Sequence, residues 1–488
     1  MKMRRISKVI GCLCVLGCVL CGPAFAGAAD LAAEIAKVVD AVKPESMRMG
    51  IRIVELQSQA VVYTHRADEA CKPASNMKLL TTAAALDLLP ASYKFRTTLA
   101  MRGDDLIVLG SGDPSLGDPR LAQDAGEPIT AIFHDWAAKL EALGIVGVPG
   151  DLVIDDTVFE AERYHPNWPK SGWYNWYSAP VGGLNLNDNC IDVTVAPGAK
   201  PGEPAVIRVV PPNTFTEIVN ECKTGDKQTA TIRRVGNEPK YIVSGLSKTA
   251  GELKSVAVHD PGMLFASSCR TSLAAKGIKI HGTIRRERVR DDRGNLPPGC
   301  RVIAVYERPM TDLLGRINKN SQNLFAECLL KTIGFQLSAT ETGVGDGSYT
   351  AGQKYVRRFL EKIQAPDLSK VVIDDGSGLS HGNRVTAHML NHVICHMARH
   401  ARATDYLGSL SVAGEDGTLK TRMKDLKGQV RAKTGYISGV YALSGFARSK
   451  DGKTYAFTML FNDVRPGSVN ARKVQDDICR VLVNGAGK

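Results

Sequence analysis

Beyond residue 26 the sequence has no long apolar run, no C-x-x-C pair and no tight basic tract. Each absence removes a class of function. Without roughly twenty consecutive apolar residues, no later segment reads as a membrane-spanning helix. Without closely spaced cysteines, a zinc knuckle and a thioredoxin-like redox site are excluded. Nucleic-acid binding normally leaves a concentrated lysine and arginine stretch, and none is present. The tail after Cys479 is short and carries no long amphipathic stripe, so no surface anchor is expected there.

What is present begins with an export leader. Lys2, Arg4, Arg5 and Lys8 precede an apolar stretch from Val9 to Cys21, and Ala24-Phe25-Ala26 fits a small-x-small cleavage site. Residues 1–26 are therefore read as a signal peptide. Cys18 follows Val15-Leu16-Gly17, a weak match to a lipidation site, because Leu16 is bulkier than such sites usually allow. The net charge of +12 over 488 residues falls to about +8 without the leader. Such an excess suits either an anionic polymer outside the cytoplasm or plain solubility. Eight cysteines remain after Ala26, enough for about a hundred disulfide connectivities in an exported chain. Cys190 with Cys222 is the one pairing expected, since both fall in the same central region.

Hydrophobic spacing divides the rest. Residues 30–42 predict a helix, and Met49–Val62 alternates like a pair of strands. The Leu79–Leu89 stretch is dense in alanine and leucine, with Pro73 placed for a first turn and Pro90 closing it. From 94 to 257, short β-like runs punctuated by glycine and proline predict one or two inserted β-rich domains, with a helix near Thr130–Leu143. Helical signals resume at Pro261–Lys276, Met310–Asn318 and Asn323–Leu337, and Thr386 reads as the N-cap of a helix reaching about Ala401. Val430–Lys433, Tyr441–Arg448 and Tyr455–Phe461 predict antiparallel strands, and 470–484 a final helix. The pattern is α+β: a catalytic domain in two parts, 27–93 and 258–488, split by the 94–257 insert.

Three short stretches carry chemistry. In Ser75-Asn76-Met77-Lys78, the hydroxyl and the amine stand one helical turn apart on one face. A serine needs a base to become a nucleophile. A lysine becomes one when burial and a neighbouring cation lower its pKa; Lys78 fits the base, and Lys433 the neighbouring cation. In Ser321-Gln322-Asn323, the serine can relay a proton to a leaving amine, while the asparagine holds Lys78 and a substrate amide. In Lys433-Thr434-Gly435, the lysine supplies a positive charge and Thr434 a donor for a terminal carboxylate. Gly435 lets a substrate backbone lie against the strand edge. The N–H groups of Tyr436 and Ser75 are candidates for an oxyanion hole. Alone, each stretch has a bland reading: a chance pair, a polar helix start, a tripeptide in a lysine-rich region.

In fixed order, S-x-x-K, S-x-N and K-T-G resemble the signature of penicillin-binding proteins. The chain resembles the D-alanyl-D-alanine carboxypeptidases/endopeptidases of the type-4, low-molecular-mass class C group. Supporting stretches are Gly110–Pro114, Tyr177–Val181, Asp375–Ser380 and Ala413–Leu419, and the likeness covers nearly the whole mature chain. About 250 residues separate the first two motifs, which is similar to the family's insert. The resemblance implies a penicillin-binding/β-lactamase-like fold, an antiparallel sheet plus a helical lobe. It also implies an acyl-serine route on peptidoglycan stem peptides or crosslinks, inhibition by β-lactams, no metal or cofactor, and a periplasmic location. The catalytic set would be Ser75, Lys78, Ser321, Asn323 and Lys433, with Thr434, Gly435, Tyr436 and His381 binding substrate. Two positions depart from the family. Gly172 or Ser171 stands where an acidic residue is common, and His381 where arginine is; both touch recognition of the substrate's tail. A β-lactamase is the nearest alternative, but E-x-x-L-N is missing and the insert is large. A non-catalytic murein-binding or penicillin-sensing protein would have lost part of the trio.

Two further features stand outside the trio. His388, His392, His396 and His400 repeat every four residues, a spacing that can bind zinc or nickel, though a polar rim beside Leu390, Val393, Ile394 and Met397 is the favoured reading. Tyr164, Trp168, Trp173, Tyr174, Trp176 and Tyr177 crowd one loop, read as loop packing ahead of a sugar or peptide platform.

Overall fold

The computed structural model describes residues 23–467 and 469–485. Most of the expected leader, including Cys18, lies outside the described residues; the first helix, Pro23–Asp40, takes in the expected cleavage site. At the centre is a six-stranded antiparallel sheet. Its spatial order is Ser411–Val412, Val430–Ile437, Val440–Arg448, Thr454–Asn462, Arg48–Glu55 and Val61–His65. Both ends of the chain thus build one sheet. Its strands alternate between two apolar faces. Leu443 and Ala447 join Ile51, Phe457 and Met459 under the terminal helices, which contribute Leu31, Ile35, Ile478 and Leu482. Ala442, Phe446 and Leu460 face the other way, into the helical lobe. That lobe packs Met77–Leu88 against Asn323–Thr342, Tyr349–Lys362 and Ala387–Met397.

The insert has its own cores. A five-stranded sheet runs Ile284–Arg286, Leu152–Asp155, Asp105–Leu109, Lys94–Arg102, Arg301–Pro309. Helices Ala131–Ala142 and Pro261–Ala275 cover it with Phe133, Trp136, Phe265 and Leu273. Beyond it, small sheets around Cys190–Ala196 and Lys240–Ser247 enclose Ile191, Val193, Tyr241 and Val243. The expected boundary at 257 therefore falls inside this body. Arg301–Pro309 pairs along its length with Lys94–Arg102, and the helix assigned to the catalytic part fills the insert's core. Composition cannot reveal a pairing between strands so far apart in sequence. The expected Cys190–Cys222 disulfide is also corrected. All eight cysteines after Ala26 are free thiols; Cys222 packs with Ile232 and Tyr241, whereas Cys190 Sγ contacts the Asp188 carbonyl at 3.5 Å.

Candidate active site

Ser75 sits just ahead of the buried helix. Ala74–Asn76 form a single 3-10 turn and the α-helix starts at Met77, one element later than the sequence suggested. The turn is tight: Ala74 has φ 45°, and Gly378 lies so close that a Cβ there would come within 1.8 Å of the Ala74 carbonyl. Met77 through Leu86 are all buried, so the helix shows no polar face. Its hydroxyls turn inward, Thr81 donating to the Gly376 carbonyl at 2.7 Å.

Lys78 is fully buried. Its Nζ lies 3.1 Å from Ser75 Oγ, 2.6 Å from Asn323 Oδ1 and 2.8 Å from the Ser377 carbonyl. The last two atoms can only accept. A neutral amine has two hydrogens and one lone pair, so donating to both carbonyl oxygens leaves the lone pair facing the serine hydroxyl. Burial pushes the Lys78 pKa down to about 7, against the pull of nearby Glu327 and Asp375.

The other two motifs close the cleft. Ser321, at φ 61°, accepts from Lys433 Nζ at 2.8 Å. Lys433 is fully buried too, and burial together with Lys78 holds its pKa well below the usual value. The strand is tied to the Ala74–Asn76 turn by Asn76 Nδ2, which donates to the Lys433 carbonyl at 2.9 Å. Gly435 allows the approach: a Cβ there would lie 3.0 Å from the Pro73 carbonyl. Ser75, Ser321, Thr434, Gly435 and Tyr436 line one cavity of about 390 Å³. His381 does not line it. It is exposed on a turn, and Arg384 Nη1 donates to its carbonyl at 2.7 Å.

Several positioning groups escaped the sequence reading. Glu327, fully buried one turn after Asn323, accepts from the N–H groups of Gly376 and Ser377, both at 2.8 Å. It thereby fixes the carbonyl that Lys78 donates to. Burial raises its pKa to about 8. A glutamate inside Leu324–Leu330, otherwise apolar, was the available signal. Asp375 accepts from Gly378, Ser380, Asn383 and Trp168 Nε1, which makes Trp168 an anchor of the same loop. The Tyr177 carbonyl accepts from Asn323 Nδ2 at 2.7 Å, and Thr418 Oγ1 accepts from Thr434 at 2.8 Å. Thus three of the four supporting stretches contact candidate site residues: Lys78, Asn323 and Thr434. Of the aromatic cluster, Tyr164 stacks on Trp173 at 4.3 Å, while Tyr174, Trp176 and Tyr177 remain exposed. No carboxylate stands at Ser171 or Gly172, which fall in a short 3-10 turn.

Comparison with known proteins places this geometry. The family model described as D-Ala-D-Ala carboxypeptidase 3 (S13) matches residues 31–484. The chain is 31% identical over 486 residues to a D-alanyl-D-alanine carboxypeptidase of an Actinomadura species, covering 94% of this chain and 85% of the relative. It is 24% identical over 450 residues to the D-alanyl-D-alanine carboxypeptidase DacB of Haemophilus influenzae, covering 88% of each. Its fold matches the crystal structure of penicillin binding protein 4 (dacB) from Haemophilus influenzae with TM-score 0.73 at 23% identity, over 92% of this chain and 98% of that one. Among the described residues, no helix is long and apolar enough to cross a membrane.

Proposed function

We propose that this chain, which belongs to the D-Ala-D-Ala carboxypeptidase 3 (S13) family and is a serine-type DD-peptidase, acts through Ser75 as nucleophile and Lys78 as its base. The terminal carboxylate of a D-Ala-D-Ala stem is held by Thr434 and by Lys433, whose ammonium form the incoming anion favours. Ser75 Oγ attacks the scissile carbonyl carbon while its proton passes to Lys78. The N–H groups of Ser75 and Tyr436 receive the developing oxyanion. The leaving amine takes a proton through Ser321, which Lys433 holds. The acyl-serine is then hydrolysed by a water that Lys78 deprotonates, and a β-lactam is trapped at the acyl stage. Residues 1–26 direct the chain out of the cytoplasm, to the periplasm, where peptidoglycan peptides and crosslinks are its substrates. Release of D-Ala and cleavage of a crosslink differ only in the leaving amine, so one set of groups serves both.

The observation that carries this reading is the Lys78 amine, with two obligate acceptors and Ser75 Oγ 3.1 Å away. Intact-mass and peptide analysis after β-lactam treatment is expected to find the adduct on Ser75. An adduct elsewhere overturns the mechanism. Product analysis on purified murein fragments, expected to yield free D-Ala or resolved crosslinks, overturns the activity if neither forms.

A further inference from the structure

The histidine row that starts on the Ala387–Met397 helix and ends at His400, three residues beyond it, takes no part in this chemistry, and its members meet unlike neighbours. His388 Nδ1 lies 2.8 Å from Asp68 Oδ1, and His392 Nε2 2.9 Å from the Ile363 carbonyl. Those are hydrogen-bond lengths, satisfied by a proton. The far end of the row differs. His396 Nε2 is buried with no hydrogen-bond partner. His400 Nε2 stands 3.5 Å from Asp87 Oδ1, too far for a good N–H···O bond. Asp87 comes from the other side of the interface, near the end of the nucleophile helix. One ligating atom from each of Asp87, His396 and His400 lies within 4.8 Å of the other two.

We propose that Asp87, His396 and His400 bind a divalent transition-metal ion of the zinc class. Two donors on one tetrahedral zinc, each at about 2.0–2.1 Å, stand about 3.4 Å apart. The His400–Asp87 separation already has that value, whereas the His388–Asp68 pair is too close for it. Two imidazoles and one carboxylate suit zinc over magnesium or calcium. Asp87 is pre-oriented: its side chain is 4% exposed, and Oδ2 accepts from Lys362 Nζ at 2.8 Å, leaving Oδ1 for the ion. Ligation through His400 Nε2 moves the ring proton to Nδ1 and displaces the 3.2 Å contact from the Arg402 N–H. The fourth position takes water. Asp87 lies roughly 14 Å along the helix from Lys78, so the ion is remote from the reacting atoms. It staples the far end of the nucleophile helix to the histidine-bearing helix.

Calorimetric titration of the metal-stripped full chain with ZnCl2 tests this. One site is expected, with a Kd of about 1 µM or tighter, and zinc raises Tm while MgCl2 does not. His396→Ala is expected to weaken zinc binding about 100-fold, and Asp87→Asn, which keeps the side-chain shape, about tenfold. Acylation by a β-lactam stays within about twofold of wild type in His396→Ala. Failure of the wild type to bind zinc overturns the site. So does wild-type affinity in Asp87→Asn, or loss of binding in His388→Ala, which would put the ion at the other end of the row. If His396→Ala does not fold, the wild-type titration and Asp87→Asn decide.

Discussion

Two buried lysines of the helical lobe, Lys78 on Met77–Leu88 and Lys331 on Asn323–Thr342, have opposite fates. Neither side chain reaches solvent. Lys331 Nζ meets a carboxylate, Glu160 Oε1, at 2.5 Å and stands 4.0 Å above the Tyr349 ring. Lys78 meets only a hydroxyl and two carbonyl oxygens. Burial lowers both pKa values, and in Lys331 the bonded Glu160 opposes it. What fits Lys78, and not Lys331, for the proposed role of base is the contact carboxylate it lacks, since burial is common to both. The nearest acids, Glu327 and Asp375, are occupied by backbone N–H groups instead. They hold the loop that holds the lysine.

The sharpest way to break this comparison is to swap each lysine for methionine. Lys78→Met removes the proposed base and is expected to slow acylation about 10³–10⁴-fold, read by rapid-mixing kinetics with a β-lactam. Its Tm should fall less than that of Lys331→Met, since it leaves two carbonyl oxygens without a donor but strands no bonded counter-charge. Lys331→Met is expected to do the reverse. It strands Glu160, which is 32% exposed, and so costs about 1–3 kcal/mol, less than a fully buried pair would. A thermal melt should show that loss while acylation stays within about threefold. Equal kinetic damage from both changes would erase the distinction.

How far the sequence could be read follows the same division between local and distant. Helices with dense apolar runs were legible to within a few residues: Ala131–Ala142, Pro261–Ala275, Ala387–Met397 with its Thr386 cap, and Ala471–Asn484. Tyr349–Lys362 was not read, although Ser348 caps it. Its Gly352 looks like a loop signal but is a crossing point, where a Cβ would lie 2.5 Å from the Leu330 carbonyl. Strands Lys94–Arg102 and Arg301–Pro309 expose one face, and each finds its partner some 200 residues away. Within the site, the side chains that the short motifs single out are gathered around one cleft, His381 excepted. What was not legible was the backbone that orients them, the carbonyls of Ser377 and Tyr177, because any residue type can supply a carbonyl. Glu327 was missed for a different reason: in a helix it reads as a solvated charge until its burial is known.

Two smaller effects sharpen the comparison. Thr434→Val removes a hydroxyl that donates to Thr418 and faces the cavity. It is expected to raise KM about tenfold or somewhat more for a D-Ala-D-Ala peptide with little change in kcat, the size of one hydrogen bond to a charged group; a fall confined to kcat would remove Thr434 from ground-state binding. Glu327→Gln makes the subtlest change, because shape is kept and only charge is lost. In the proposed mechanism Lys78 works as a free amine, so acylation should rise with pH through its pKa of about 7. A negative Glu327 favours the ammonium form and holds that pKa up. Glu327's own pKa of about 8 leaves it largely protonated where Lys78 titrates, so removing its residual charge should move the acid limb of the acylation profile to lower pH by less than about half a unit. Because the amide keeps a single acceptor for the two N–H groups of Gly376 and Ser377, the plateau rate should also drop a few-fold as the Ser377 carbonyl loosens. An acid limb that stays in place would mean that Glu327 is fully protonated at the pH where Lys78 titrates, and that burial alone sets the base. A limb displaced to higher pH would contradict the sign of the interaction and return Glu327 to a purely structural part.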